Sequence, residues 1–295
     1  MTTLDTWLET APPIGSSVGE FVARDGAKLG FTGYRTDAPA ETGTALVYLH
    51  GIESHAGWFE QPAELLQQRG YHCFCLDRRG SGINRDDRAF LSGDTPSLQT
   101  LFDDVRTFRD LLRGRFERVF LVGLSWGGKL GTGYVLGHPK DFDGLILITP
   151  GLAAKVDVSP RTKVGIFFAL LLSPTRTFKL PIEPEMFTDT PRFVDYIRQD
   201  PLRIKRATAR FLYASRKLDG YIAGRVGEIK TPTQLFLAGE DRIIDNNGVL
   251  EIVRHAEPAG LEVHTYEDLQ HSIQFEAPQR LVDDMTAWIA RQATA

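Results

Sequence analysis

The chain has 295 residues, 42% of them hydrophobic and 24% charged, which is ample for one large α/β core and an insertion and unlike a disordered or fibrous chain. Its formal net charge of −4 provides no overall basic field, so nucleic acid is not an expected partner. Residues 1–15 lack the charged start, apolar core and cleavage site of a secretory leader. The longest strongly apolar run, 164–172, is far short of the ~20 residues that span a bilayer. Cys73 and Cys75 are too close to bridge and too few for zinc, so the expected setting is a reducing cytoplasm.

In chain order, residues 20–24 and 28–34 alternate around an Asp25-Gly26 turn, the pattern of a hairpin. A polar loop at 36–43 follows, and 45–50 is then apolar on both faces, as in a buried parallel strand. Similar runs recur at 71–77, 118–123, 145–150 and 234–239, with an edge strand expected at 261–266. Helical patterns lie at 58–69, 98–113, 129–138, 246–256 and 278–291. This alternation predicts an α/β fold with a mostly parallel, doubly wound sheet. From 151 to about 227 the alternation breaks, and six prolines interrupt helical segments. The expected organisation is a core of 1–150 and 228–295 with a helical cap, 151–227, inserted above the strand ends.

Gly123-Leu-Ser-Trp-Gly127 lies where an apolar strand meets a helix expected to start near Gly128. A serine on a sharp strand-to-helix turn needs small neighbours, here Gly123 and Gly127, and presents its hydroxyl above the sheet. Ser125 is therefore the candidate nucleophile. His271 follows the last expected strand and completes the chain order Ser, acid, His, so it is the candidate base. Asp241, two residues past a strand end, is the candidate acid, with Asp245 as runner-up and Glu240 behind it. The oxyanion hole should use the backbone N–H of Trp126 and a second from the His50-Gly-Ile-Glu-Ser-His55 loop, at Ile52.

With these stretches in view, the chain resembles the α/β-hydrolase superfamily, in particular its monoacylglycerol lipase and lysophospholipase-like branch. Four motifs carry the likeness: His50-Gly-x-x-x-His55, Asp77-Arg-Arg-Gly-Ser-Gly82, Gly123-Leu-Ser-Trp-Gly-Gly128, and Gly239-Glu-Asp241 with His271. The resemblance implies the α/β-hydrolase fold, a Ser125–Asp241–His271 triad and donors at Ile52 and Trp126. Asp77 to Gly82 would shape a neighbouring loop. Two departures stand out: Ile52-Glu-Ser54 interrupts the family's usual glycine in the oxyanion loop, and Trp58-Phe59 replaces a basic-aromatic pair.

The expected reaction is hydrolysis of a carboxylic ester, with a small-molecule acyl ester or monoacyl lipid as substrate. An amide, a thioester or a carbon–carbon bond would use the same residues, and a non-catalytic ligand receptor is a further alternative. No metal or organic cofactor is implied. The apolar run 164–172 reads either as a helix packed on the core or as a lining for an acyl chain. Residues 198–217 hold seven basic residues and one acid, with Ile204, Ala207, Phe211 and Leu218 at helical spacing. Such a face could give the cap peripheral contact with a membrane, although a charge run is more often a solvated surface.

Overall fold

Runs that are apolar at every position can bury both faces of a strand, and here they form the middle of one eight-stranded sheet. A computed structural model of the chain describes residues 3–37, 43–85, 90–256, 258 and 260–292, so most of the polar loop read at 36–43 lies outside the described residues. The strands are β1 (Ser17–Val22), β2 (Lys28–Tyr34), β3 (Thr44–Leu49), β4 (His72–Leu76), β5 (Arg118–Leu124), β6 (Gly144–Ile148), β7 (Thr177–Lys179), β8 (Arg206–Thr208), β9 (Thr233–Ala238) and β10 (Glu262–Tyr266). The helices are α1 (Leu4–Thr10), α2 (Glu60–Gln68), α3 (Leu98–Leu112), α4 (Trp126–Gly137), α5 (Pro160–Leu172), α6 (Pro191–Gln199), α7 (Ala209–Ala223), α8 (Asn246–Ala256), α9 (Ile273–Glu276) and α10 (Pro278–Gln292).

The large sheet runs β1-β2-β4-β3-β5-β6-β9-β10. Only the β1–β2 hairpin and its junction with β4 are antiparallel; from β4 to β10 the pairing is parallel. One face carries an edge-to-face cluster of Trp7, Phe31, Phe74 and Phe108, with ring centres 5.1 to 5.8 Å apart. The opposite face buries Tyr48, Phe59, Met285 and Trp288 beneath α2 and α10. From β3 the chain passes through α2 to β4 on one side, then through α3 to β5 on the other. Neighbouring β3 and β5 thus diverge at their carboxyl ends, the position where open α/β sheets place their sites. Their register sets Leu49 opposite Gly123.

After β6 the chain leaves the sheet and returns at β9, and the intervening segment holds α5, α6, α7 and the antiparallel β7–β8 ribbon. The ribbon is unanticipated, because strands of three residues carry no readable period. The helical spacing read across 198–217 is also corrected. Pro201 forces Asp200 out of the helical region, to φ −60° and ψ 113°, so α6 stops at Gln199. Residues 206–208 then pair as β8, and α7 starts afresh at Ala209, capped by the Thr208 hydroxyl. Part of the basic charge is consumed: Arg198 pairs with Glu185 and Asp195, Arg203 with Glu53, Arg210 with Asp94 and Arg216 with Asp219. The run 164–172, by contrast, lies at the surface, where Ala169 is the one buried residue of α5. Among the described residues no helix is long and apolar enough to cross a membrane.

Candidate active site

β5 ends at Leu124 and α4 begins at Trp126, so Ser125 reverses the chain alone, at φ 54° and ψ −119°. Non-glycine residues avoid this region, and its occupation here is backbone strain held by the surroundings. The turn closes only around bare glycines. A Cβ on Gly123 would stand 2.6 Å from Gly127 O, and one on Gly127 would stand 2.1 Å from Leu49 O. The Ser125 N–H donates to Ile148 O at 2.9 Å, while its carbonyl accepts from Gly151 N–H at 2.7 Å. Thr149 is the other described non-glycine residue with positive φ, 40°, and its hydroxyl donates to the His271 carbonyl at 3.1 Å. Strain therefore gathers at the end of β6, between the serine and the histidine.

His271 and Asp241, 30 residues apart in the chain, meet through Nδ1 and Oδ2 at 2.8 Å, and both side chains are fully buried. The other carboxylate oxygen accepts the Ile243 and Ile244 N–H groups, each at 2.8 Å. Burial pushes the Asp241 carboxyl up, but His271 and these two N–H groups outweigh it and hold the group below the usual carboxylate range. With Nδ1 facing a carboxylate, the imidazole proton sits on that side and Nε2 keeps its lone pair. His271 Nε2 is buried and has no hydrogen-bond partner among the described residues, so no Ser125–His271 hydrogen bond is formed. Asp245 serves elsewhere, accepting the Asn247 N–H at the start of α8, and Glu240 is exposed.

Beside the serine runs the loop after β3. A Cβ on Gly51 would approach Ser125 Cβ to 3.4 Å, so the backbone passes directly alongside. The Ile52 N–H makes no hydrogen bond to a described residue, and the Trp126 N–H, first in α4, has no preceding helical carbonyl to bond. His50 receives the Arg78 N–H at its Nε2, 3.2 Å, and faces Gly51 O with Nδ1 at 2.8 Å. Burial and then the Arg78 charge hold its pKa well below the ordinary histidine value, so His50 is a neutral strut for the loop.

Three further groups grip this loop, and none was read as functional from the sequence. The Arg78 guanidinium donates to the Gly51 and Ile52 carbonyls. Buried Glu53 pairs with Arg203 at 2.6 Å, and its carbonyl accepts the Ile204 N–H at 2.8 Å. Burial pushes the Glu53 carboxyl up to about 7 even with Arg203 beside it. Asp200 accepts from His55 Nε2 at 3.0 Å and from Trp58 Nε1 at 2.7 Å. Pairing across 150 residues leaves no local signal, although Arg78 and Glu53 each sit inside a recognised motif, Arg78 as part of a shaping loop.

A family model described as serine aminopeptidase, S33, matches residues 40–278. The chain belongs to this hydrolase family. Monoglyceride lipase of Homo sapiens is 25% identical over 266 residues, covering 87% of this chain and 86% of that protein. Phospholipase YtpA of Bacillus subtilis is 23% identical over 250 residues, covering 84% and 93%. Among solved structures, a soluble variant of monoglyceride lipase from Saccharomyces cerevisiae superposes with a TM-score of 0.81 at 19% identity, covering 94% of this chain and 96% of that one. That last likeness concerns the fold, which is the α/β-hydrolase fold. Within it the chain is monoacylglycerol lipase-like.

Proposed function

We propose that the protein hydrolyses carboxylic esters by an acyl-enzyme cycle on Ser125, His271 and Asp241, with a monoacylglycerol, lysophospholipid or medium-chain acyl ester as substrate. The observation that carries this reading is the fully buried His271–Asp241 pair, 2.8 Å long, at the rim where the strained Ser125 turn stands. His271 Nε2 takes the serine proton as Oγ attacks the acyl carbonyl, and Asp241 holds the imidazole in the productive tautomer and stabilises its charged form. The N–H groups of Ile52 and Trp126 receive the oxyanion, each donor being worth about 10²–10³ in rate. His271 then protonates the departing alcohol, and water releases the acid. Lipid substrates named for the relatives support the substrate class; the triad chemistry would be the same for a soluble ester.

The testing experiment compares the native protein with Ser125→Ala on a chromogenic acyl ester and with a fluorophosphonate label. Turnover and labelling should vanish in the variant while its circular dichroism stays native. Retention of most turnover would remove Ser125 from the chemistry. A second reading, hydrolysis of an amide, is favoured by the aminopeptidase description of the family. A panel of peptide amides beside esters of matched acyl length decides between them.

The segment 151–227 is read as a cap over the strand ends, and we place its membrane contact on α5 rather than on the basic stretch. Val164, Phe167, Phe168, Leu171 and Leu172 are 55–84% exposed, a continuous apolar outer face that water disfavours and a lipid surface would accept.

A further inference from the structure

Asp77-Arg78-Arg79 leaves β4 beside the oxyanion loop, and its two arginines are used in different ways. Arg79 is spent on carboxylates, holding Asp25 at 2.6 Å and Asp104 at 2.7 Å. Arg78 has no carboxylate within ion-pair distance among the described residues. Its guanidinium turns onto the loop instead, donating to Gly51 O at 2.8 Å and to Ile52 O. The same planar group lies 5.1 Å from the centre of the Trp126 indole and 5.2 Å from that of Phe211. One side chain thus touches the Gly51–Ile52 backbone and the indole of Trp126, the two residues read above as oxyanion donors being Ile52 and Trp126.

A trans peptide points its C=O and N–H in opposite directions. Holding Gly51 O on the guanidinium therefore fixes the way the Ile52 N–H faces, away from Arg78. The bond to Gly51 O opposes the loop's easiest rearrangement, a flip of the Gly51–Ile52 peptide, and the bond to Ile52 O holds the next peptide as well. Glycine at 51 makes such a flip inexpensive, since no Cβ opposes it. A flip would present a carbonyl where a donor is needed. The grip also suits arginine specifically: its fork reaches two carbonyls at once, whereas an ammonium is a point donor.

We propose that Arg78 is a positioning residue for the oxyanion hole, gripping Gly51 O and Ile52 O and packing under Trp126 so that both backbone donors stay aimed at the reacting carbonyl. This rests on the Ser125 reading above. Burial lowers the Arg78 pKa to about 9, which leaves the group charged at neutral pH.

The test uses Arg78→Gln and Arg78→Lys in the full chain, assayed on a soluble ester at a temperature where circular dichroism shows the native fold. In Arg78→Gln, kcat should fall about 10- to 100-fold with KM changed less than about threefold, the signature of a lost transition-state interaction. The affinity of a trifluoromethyl ketone, whose adduct with serine places an oxyanion in the hole, should fall by the same factor as kcat/KM. Arg78→Lys, which keeps charge without the fork, should fall between native and Arg78→Gln, and it decides the matter if the glutamine variant does not fold. Unchanged kcat in Arg78→Lys together with unchanged ketone affinity overturns the proposal. So does a loss carried wholly by KM. A native protein labelled by fluorophosphonate beside unaffected Arg78 variants would sink Arg78 alone; a native protein that resists the label would sink the triad reading with it.

Discussion

Asp241 reaches the histidine only because its loop turns both Ile243 and Ile244 N–H groups onto one carboxylate oxygen, leaving the other for His271. Its folded pKa is depressed, so its contribution to stability is present above the unfolded value of about 3.9 and is lost as pH falls through the folded value. Asp241→Asn should therefore lose up to about 10⁴ in kcat, by favouring the wrong tautomer, and show a weaker acid dependence of unfolding below pH about 4. Urea titrations at several pH values, beside the ester assay, check both. At this scale the sequence is informative where the chemistry demands local spacing. Ser125 and its glycines are legible because a tight turn crowds backbone on backbone, and His271 because it lies just past the last strand. The sequence ranks Asp241 above Asp245 only by its nearness to a strand end, whereas which carboxylate faces His271 depends on the way the loop turns them.

Elements were legible in proportion to their length and to how much of their surface they bury. The central strands announce themselves by unbroken apolar runs, and α3 and α10 by their stripes. The β7–β8 ribbon is too short for a pattern, and α5 deceives because an apolar helix normally packs inward. Here Gly165, Ile166, Ala169 and Leu170 turn inward, and the large side chains turn out. If the outer face meets lipid, Phe167→Ser with Leu171→Ser should cut hydrolysis of monoacylglycerol in vesicles several-fold. Turnover of a water-soluble ester should stay within about twofold and stability within about 0.5 kcal/mol, as befits exposed positions. Equal activity on vesicles would remove α5 from membrane contact.

Across the whole molecule, the inserted segment and the core meet through buried polar contacts as well as apolar packing, with Glu53–Arg203 the most enclosed. Removing one partner of such a pair costs about 3–5 kcal/mol because the other charge is stranded. Arg203→Met should show this with a particular pH signature. A carboxyl whose folded pKa lies near 7, above its ordinary value, favours the folded state at low pH and withdraws that support as pH rises through the folded value. Without Arg203 the Glu53 pKa rises further, so the variant should be markedly weaker at pH 8 than at pH 6, while Glu53→Gln with Arg203→Met should level the two. Melting temperatures in both buffers measure it. Nothing in the sequence joins positions 53 and 203; only the fold does. The pair also limits what a protein engineer can graft. A segment 151–227 transplanted from a relative without an arginine in the place of Arg203 would leave Glu53 a lone ion walled inside the chimera, so the two halves of this lock must be exchanged together.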